Sequence, residues 1–296
     1  MQVTADHEEA NLFTTLISTA ELAAALDERS LVDNLILCDV RHDLTQPHAW
    51  GEAEYSKAHL PGAQFVHIDR DLSAAKTGAN GRHPLPTPEA AAKVFARLGV
   101  NESKQVVAYD QGNGMYAARL WWMLRWLGHD AVAVLDGGIA KWSKEGRAVT
   151  TDVPAPQPST FGIHRVTPTV NASGVRASLH RRSLFMLDAR APERFRGDVE
   201  PIDPVAGHIP GARNRPFTLN LDADGTFKHA AFLRAEFAAL LDGAPHETVV
   251  HSCGSGISAC HNLLAMEVAG MPGTRLYPGS WSEWSSDPAR PVERGP

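Results

Sequence analysis

Short apolar runs recur along the chain: Leu35-Ile36-Leu37-Cys38-Asp39-Val40, Val106-Val107-Ala108-Tyr109, Met186-Leu187-Asp188-Ala189 and Thr248-Val249-Val250. Their length and β-branched content predict strands. Between them lie segments of helical pattern. Thr87-Pro88-Glu89 offers an N-cap residue and a proline at the first helical position, and Gly99 closes the helix predicted over Ala90 to Leu98. Met115 to Leu127 predicts a second helix, with Trp121, Trp122 and Trp126 as core packing. Ser258 to Ala269 predicts a third, ended by Gly270 and Pro272. Strands alternating with helices predict the α/β class, with a mostly parallel sheet flanked by helices.

The pattern is written twice. Leu37-Cys38-Asp39-Val40-Arg41 is echoed by Met186-Leu187-Asp188-Ala189-Arg190, and Ala58-His59-Leu60-Pro61-Gly62-Ala63 by Gly207-His208-Ile209-Pro210-Gly211-Ala212. Val106-Val107-Ala108-Tyr109-Asp110 matches Val249-Val250-His251-Ser252-Cys253, and Leu135-Asp136-Gly137-Gly138-Ile139-Ala140-Lys141-Trp142 matches Tyr277-Pro278-Gly279-Ser280-Trp281-Ser282-Glu283-Trp284. Landmarks in one order at a nearly constant offset predict two copies of one domain. Between them, Arg147 to Thr169 carries Pro154, Pro156, Pro158 and Pro168, a composition suited to an extended surface linker. The predicted organisation is a first domain over 1–150, a linker over 151–170 and a second domain over 171–296.

Composition narrows the function. A length of 296 residues with 43% hydrophobic content accommodates two buried cores. A net charge of -6 and a pI near 6.1 give no basic footprint, which argues against nucleic acid as a partner. The N-terminus MQVTADHEEANLFTT lacks a basic then apolar leader, and no apolar run approaches a membrane span, so a cytoplasmic protein with no membrane partner is expected. Three cysteines, Cys38, Cys253 and Cys260, are too few and odd in number for a disulfide framework. Cys38, inside an apolar run, reads as a small buried hydrophobe.

Chemistry concentrates in the stretch HSCGSGISAC, from His251 to Cys260. Residues 253 to 257 form a strand-to-helix turn at the carboxyl edge of a parallel sheet, where open α/β folds bind ligands. A thiolate is the reactive form of cysteine, and helix N-termini and converging backbone N–H groups stabilise such an anion. Gly254 and Gly256 allow the strained backbone that a tight cradle needs. A cysteine phosphatase would place arginine six positions on, where Ala259 stands. A phosphate-binding P-loop needs lysine, and Gly256-Ile257-Ser258 has none. His251, Cys253, Cys260 and His261 are zinc-ligand types but lack a paired Cys-x-x-Cys knuckle, so no metal is expected.

The doubled Asp-x-Arg, the doubled His-Ile/Leu-Pro-Gly-Ala, the closing Gly-Ser-Trp-x-Glu-Trp and Cys253-Gly254-Ser255-Gly256-Ile257-Ser258-Ala259 together resemble the tandem-domain rhodanese-family sulfurtransferases over nearly the whole chain. The loop is most similar to that of 3-mercaptopyruvate sulfurtransferases; thiosulfate sulfurtransferases more typically carry Cys-Arg-Lys-Gly there. The resemblance implies two tandem rhodanese-like domains and an enzyme that moves a sulfane sulfur through a Cys253 persulfide to a thiol or cyanide. It implies no cofactor, a small sulfur donor, and a thiol acceptor such as thioredoxin or glutathione. Asp110 occupies the aligned slot of the first copy, which leaves that domain without a nucleophile.

The same resemblance maps Asp69, His83 and Ser255 onto a Ser-His-Asp relay across the two domains, with Ser255 serving the departing pyruvate enolate. It maps Arg194 onto the donor's carboxylate, with Gly254, Gly256, Ile257 and Ser258 around the reacting sulfur. A second arginine common in the mercaptopyruvate members is missing, since the segment reads Glu200-Pro201-Ile202-Asp203-Pro204. Arg196 reads as an exposed arginine, Arg41 and Arg190 as structural partners of the strand-end aspartates, and Cys260 as a buried spectator. Gly254 to Ser258 contain no charge, which suits monoanionic mercaptopyruvate better than the compact thiosulfate dianion. Thiosulfate stays the alternative donor, and a non-catalytic sulfur carrier or regulatory binding module the alternative class.

Overall fold

A computed structural model describes residues 12–28, 33–155, 157–181 and 183–296. Most of the N-terminal stretch analysed above, and Pro156 of the linker, lie outside the described residues. Among the described residues, nine short strands form two sheets. In the first half, β1 (Leu16–Ile17), β2 (Leu35–Asp39), β3 (Gln64–Phe65), β4 (Gln105–Tyr109) and β5 (Val132–Leu135) lie in the order β1-β5-β4-β2-β3. In the second, β6 (Phe185–Asp188), β7 (Arg213–Asn214), β8 (Val249–Ser252) and β9 (Arg275–Leu276) lie in the order β7-β6-β8-β9. Every neighbouring pair is parallel. The two sheets therefore repeat one topology, β3-β2-β4-β5 against β7-β6-β8-β9. A counterpart of β1 survives as one bond, from the Val170 N–H to the Leu276 carbonyl at 2.9 Å.

The doubled sequence landmarks have structural causes. Asp39 and Asp188 end buried strands, and a buried carboxylate needs donors. Arg41 and Arg190 fork onto them at 2.6–3.1 Å and spend a further N–H on the carbonyls of Ala58 and Gly207, at 2.6 and 2.8 Å. Thr87 caps the helix Pro88–Arg97 by accepting the Ala90 N–H at 3.2 Å, and Gly99 leaves it at φ +85°. The second predicted helix starts two residues late, at Ala117–Trp126, after a turn in which the Asn113 and Asp110 side chains accept the N–H groups of Met115 and Tyr116. Trp121, Trp122 and Trp126 are buried.

That helix and its counterpart Ser258–Val268 pack against each other across the halves, and one apolar cluster runs through both. The loops that precede these two helices, at the ends of β4 and β8, thus face a shared interface. The described residues of 151–170 carry no helix or strand and bond to the first half through Ser159 N–H on Ala96, His164 N–H on Leu127 and Thr167 N–H on Trp126, at 2.8–3.0 Å. No described helix is long and apolar enough to cross a membrane.

Candidate active site

Cys253 follows the last residue of β8 and is buried. Its Sγ accepts the N–H of Gly256 at 3.1 Å and of Ser255 at 3.4 Å. Gly256 is required there: it sits at φ +79°, and a Cβ would fall on the Pro278 carbonyl oxygen. The turn after β9 holds the loop from outside. Ser280 Oγ accepts the Cys253 N–H at 3.1 Å, and the Trp281 and Ser282 N–H groups donate to the Cys253 and Gly254 carbonyls at 2.9 Å. This is the work of the Gly-Ser-Trp motif. Its first-copy counterpart makes the same bonds, from Ile139 and Ala140 N–H to Asp110 and Gln111 carbonyls at 3.1 and 3.2 Å.

Asp110 shows what such a loop is shaped to hold. Its carboxylate accepts the N–H groups of Gly112, Gly114, Tyr116 and Ala117 at 3.0, 3.0, 2.9 and 3.4 Å. Burial pushes the Asp110 carboxyl up, against the pull of those four donors. The duplicated loop is an anion cradle, filled by a side-chain carboxylate in one copy and by a sulfur in the other.

The first half reaches into the second copy's loop. His83 Nδ1 lies 2.7 Å from Ser255 Oγ, and its Nε2 lies 3.6 Å from Asp69 Oδ1, an ion-pair distance rather than a hydrogen bond. Burial pushes the His83 imidazole down to about 3 despite the carboxylate beside it. Burial alone would raise Asp69, but the ammonium of Lys76 and the His83 ring beside it hold its carboxyl below the ordinary value. Lys76 Nζ and His48 Nε2 each stand 3.1 Å from that carboxylate. Two overlapping sets centred on Asp69 have ligand atoms within 4.8 Å of one another and could hold a metal ion: His42 with His83, and His48 with His67.

Arg194, at the end of the short helix Pro192–Arg196, also faces the loop. It donates to Glu200 at 2.6 and 3.3 Å and to Asp203 at 3.2 Å. Burial would raise Glu200, but the bond from Arg194 and the N–H groups of Asp203 and Ile202 hold its carboxyl down. Two arginines escaped the sequence analysis. Arg82, next to His83, contacts Asp203 from the other half. Arg119, fully buried on the tryptophan-rich helix, donates to the carbonyls of Gly256, Leu72 and His83 at 3.2, 3.4 and 3.5 Å. One guanidinium thereby ties together the cysteine loop, the end of the Asp69 segment and His83. It has no carboxylate partner among the described residues. An arginine amid Leu120, Trp121 and Trp122 was the signal available in the sequence.

Other expected residues separate from this centre. The N–H groups of Ile257 and Ser258 make no bond to Cys253 Sγ, since Ile257 caps the helix that Ser258 begins. Cys260 donates to the Gly256 carbonyl at 3.3 Å, and burial pushes its thiol up to about 12, as it does for Cys38. All three cysteines are free and buried. His261 binds the Asn113 carbonyl at 2.9 Å, whereas both ring nitrogens of His251 are buried without a partner among the described residues, so these zinc-ligand types do not converge. Arg196 is tied to Asp198 at 2.8 Å, away from the loop.

Known proteins share this architecture. The family model of the rhodanese-like domain matches twice, over residues 18–145 and 171–287. A probable 3-mercaptopyruvate sulfurtransferase of Pseudomonas aeruginosa is 47% identical over 95% of this chain and 98% of its own length. A putative thiosulfate sulfurtransferase of Mycobacterium tuberculosis is 41% identical over 95% of this chain and 97% of its own. The crystal structure of SseA from Escherichia coli, a 3-mercaptopyruvate sulfotransferase, superposes with a TM-score of 0.77 at 32% identity, covering 91% of this chain and 99% of that one.

Proposed function

The chain belongs to the rhodanese family and is a sulfurtransferase, and we propose that it takes sulfur from 3-mercaptopyruvate onto Cys253 and hands it from a persulfide to a thiol. The observation that carries this reading is Cys253 Sγ seated on two loop N–H groups, with the His83–Ser255 pair drawn from both halves in the same loop. Arg119 adds positive field behind the loop without a carboxylate to spend it on.

In this reading the Cys253 thiolate forms an S–S bond to the donor sulfur. The C–S bond breaks, and its electron pair passes into the carbonyl as the pyruvate enolate. His83, neutral because it is buried, takes the donor thiol's proton through Ser255 and returns it to the enolate carbon; Asp69 steadies the transient imidazolium. The persulfide anion remains in the cradle, where Ile257 and Ser258, at the start of the helix, supply further N–H groups for an outer sulfur. A thiol such as thioredoxin or glutathione collects it. Three free thiols fit a cytoplasmic setting.

Thiosulfate is the competing donor, since relatives of both names match the chain. The uncharged loop favours the monoanion, and so do the acids that neutralise the nearby arginines. Steady-state kinetics with each donor, using cyanide and a dithiol as acceptors, tests this. Mercaptopyruvate should give the higher kcat/KM; a higher value for thiosulfate reverses the donor assignment.

A further inference from the structure

Two guanidinium groups, one from each half of the chain, stand over the cysteine loop. A Cβ at Gly254 would lie 2.6 Å from Arg82 Nη2, and 3.6 and 3.8 Å from Arg194 Nη1 and Nη2. Both arginines engage one carboxylate: Arg82 Nη1 meets Asp203 Oδ1, and Arg194 Nη2 meets Asp203 Oδ2 at 3.2 Å. The acids lie behind and the cations in front. The Asp203 and Glu200 side chains are each 3% exposed, against 22% for Arg82 and 17% for Arg194.

Arg82 is presented, not loose. Its N–H donates to Ser282 Oγ at 3.0 Å, and Gly81 packs at φ +87° so close that a Cβ would stand 2.9 Å from the Gly279 carbonyl. Yet its buried Nε has no partner among the described residues. Arg194 Nη1 makes no hydrogen bond among them either, on a side chain that stays 17% exposed and open to an incoming acceptor. A desolvated guanidinium N–H without an acceptor is unfavourable, and a planar carboxylate is the acceptor that two such forks match. The two cations and the two buried acids sum to zero formal charge beside an uncharged loop.

Resting on the sulfurtransferase reading, we propose that Arg82 binds the donor's carboxylate together with Arg194. Asp203 is the internal counter-anion that aims both guanidinia and cancels excess positive charge. The pocket then favours a monoanionic α-keto acid over a compact dianion. The inter-domain contact is thus part of donor recognition as well as a strap between the halves.

Pyruvate serves as a carboxylate probe that needs no turnover. Calorimetry on the full chain should show Arg82→Ala weakening pyruvate binding about tenfold or more, since a charge-assisted fork is lost. Arg82→Lys should fall between, and Asp203→Asn should bind pyruvate as tightly as the unaltered protein or more tightly. In turnover, Arg82→Ala should raise KM for 3-mercaptopyruvate more than it lowers kcat, and Asp203→Asn should raise kcat/KM for thiosulfate severalfold. A strap alone predicts that both variants lower Tm and shift binding in the same direction; that result overturns the proposal, as does unchanged pyruvate affinity in Arg82→Ala. Failure of the underlying reading looks different: the unaltered protein would turn over neither donor, while the pyruvate measurement would still report on Arg82.

Discussion

His83 and His251 are both buried imidazoles held down to about 3, and they make opposite use of it. His83 is neutral above the acid range, so its ring nitrogen is free to accept a proton from Ser255 at any ordinary pH. The acid side of the kcat/KM profile should therefore show no fall with a midpoint between 6 and 7; such a fall would mean that His83 titrates like an exposed imidazole. His83→Gln should cut kcat by about a hundredfold or more, the usual contribution of a positioned acid–base group. His251 has no such employment. Its ring nitrogens are buried and unpaired in the middle of β8, so His251→Leu should stabilise the protein by about 1–2 kcal/mol, read as a rise in Tm. Cys253, Ser255 and Arg194 were legible because each stands in or near a motif. Arg119 and Arg82 were not, because their roles come from carbonyls and carboxylates remote in sequence that only folding brings near.

At the scale of elements, the strand-loop-helix unit is an anion cradle used twice, and the two copies should respond differently to mutation. Asp110→Asn would point an amide toward N–H groups that now share a carboxylate. Leaving buried N–H groups without an acceptor should cost about 1–3 kcal/mol of stability while kcat per folded molecule stays unchanged. Chemical denaturation and assays at saturating donor separate the two effects, and a proportional loss of kcat would contradict a structural role. Strands, helices and the duplicated order could be read from apolar runs and repeats, since each is a local pattern. The late start of Ala117–Trp126 could not, because the turn before it is held by the Asp110 and Asn113 side chains, contacts that the apolar pattern does not encode.

Across the whole molecule, the two halves meet at the cysteine loop: His83 contacts Ser255, Arg82 contacts Asp203 and Arg119 contacts the Gly256 carbonyl. The repeats predicted two domains; the resemblance implied a relay across them, and the structure sets His83 2.7 Å from Ser255 and 3.6 Å from Asp69. Burial of charge-capable groups also sets the acid limit. His83, His251 and His261 are each held down to about 3, against an ordinary 6.5. The unfolded chain therefore binds more protons than the folded one between those values, and stability falls as pH drops through that window. Near pH 5 these imidazoles alone should add about three protons on unfolding, or about 4 kcal/mol per pH unit. Denaturation midpoints measured from pH 7 to 4 should fall steeply, and His251→Leu should remove about one proton from the slope. A flat profile would contradict the burial of these rings as neutral groups.

In the proposed cycle, one cysteine in a duplicated cradle carries the sulfur. The most direct measurement is a single turnover of the full chain with 3-mercaptopyruvate and no acceptor, reading pyruvate released and the mass of each cysteine peptide. The expected result is one pyruvate per chain, a gain of one sulfur on the Cys253 peptide, no gain at Cys38 or Cys260, and neither product from Cys253→Ser. Pyruvate release by Cys253→Ser, or sulfur carried on another cysteine, would contradict it.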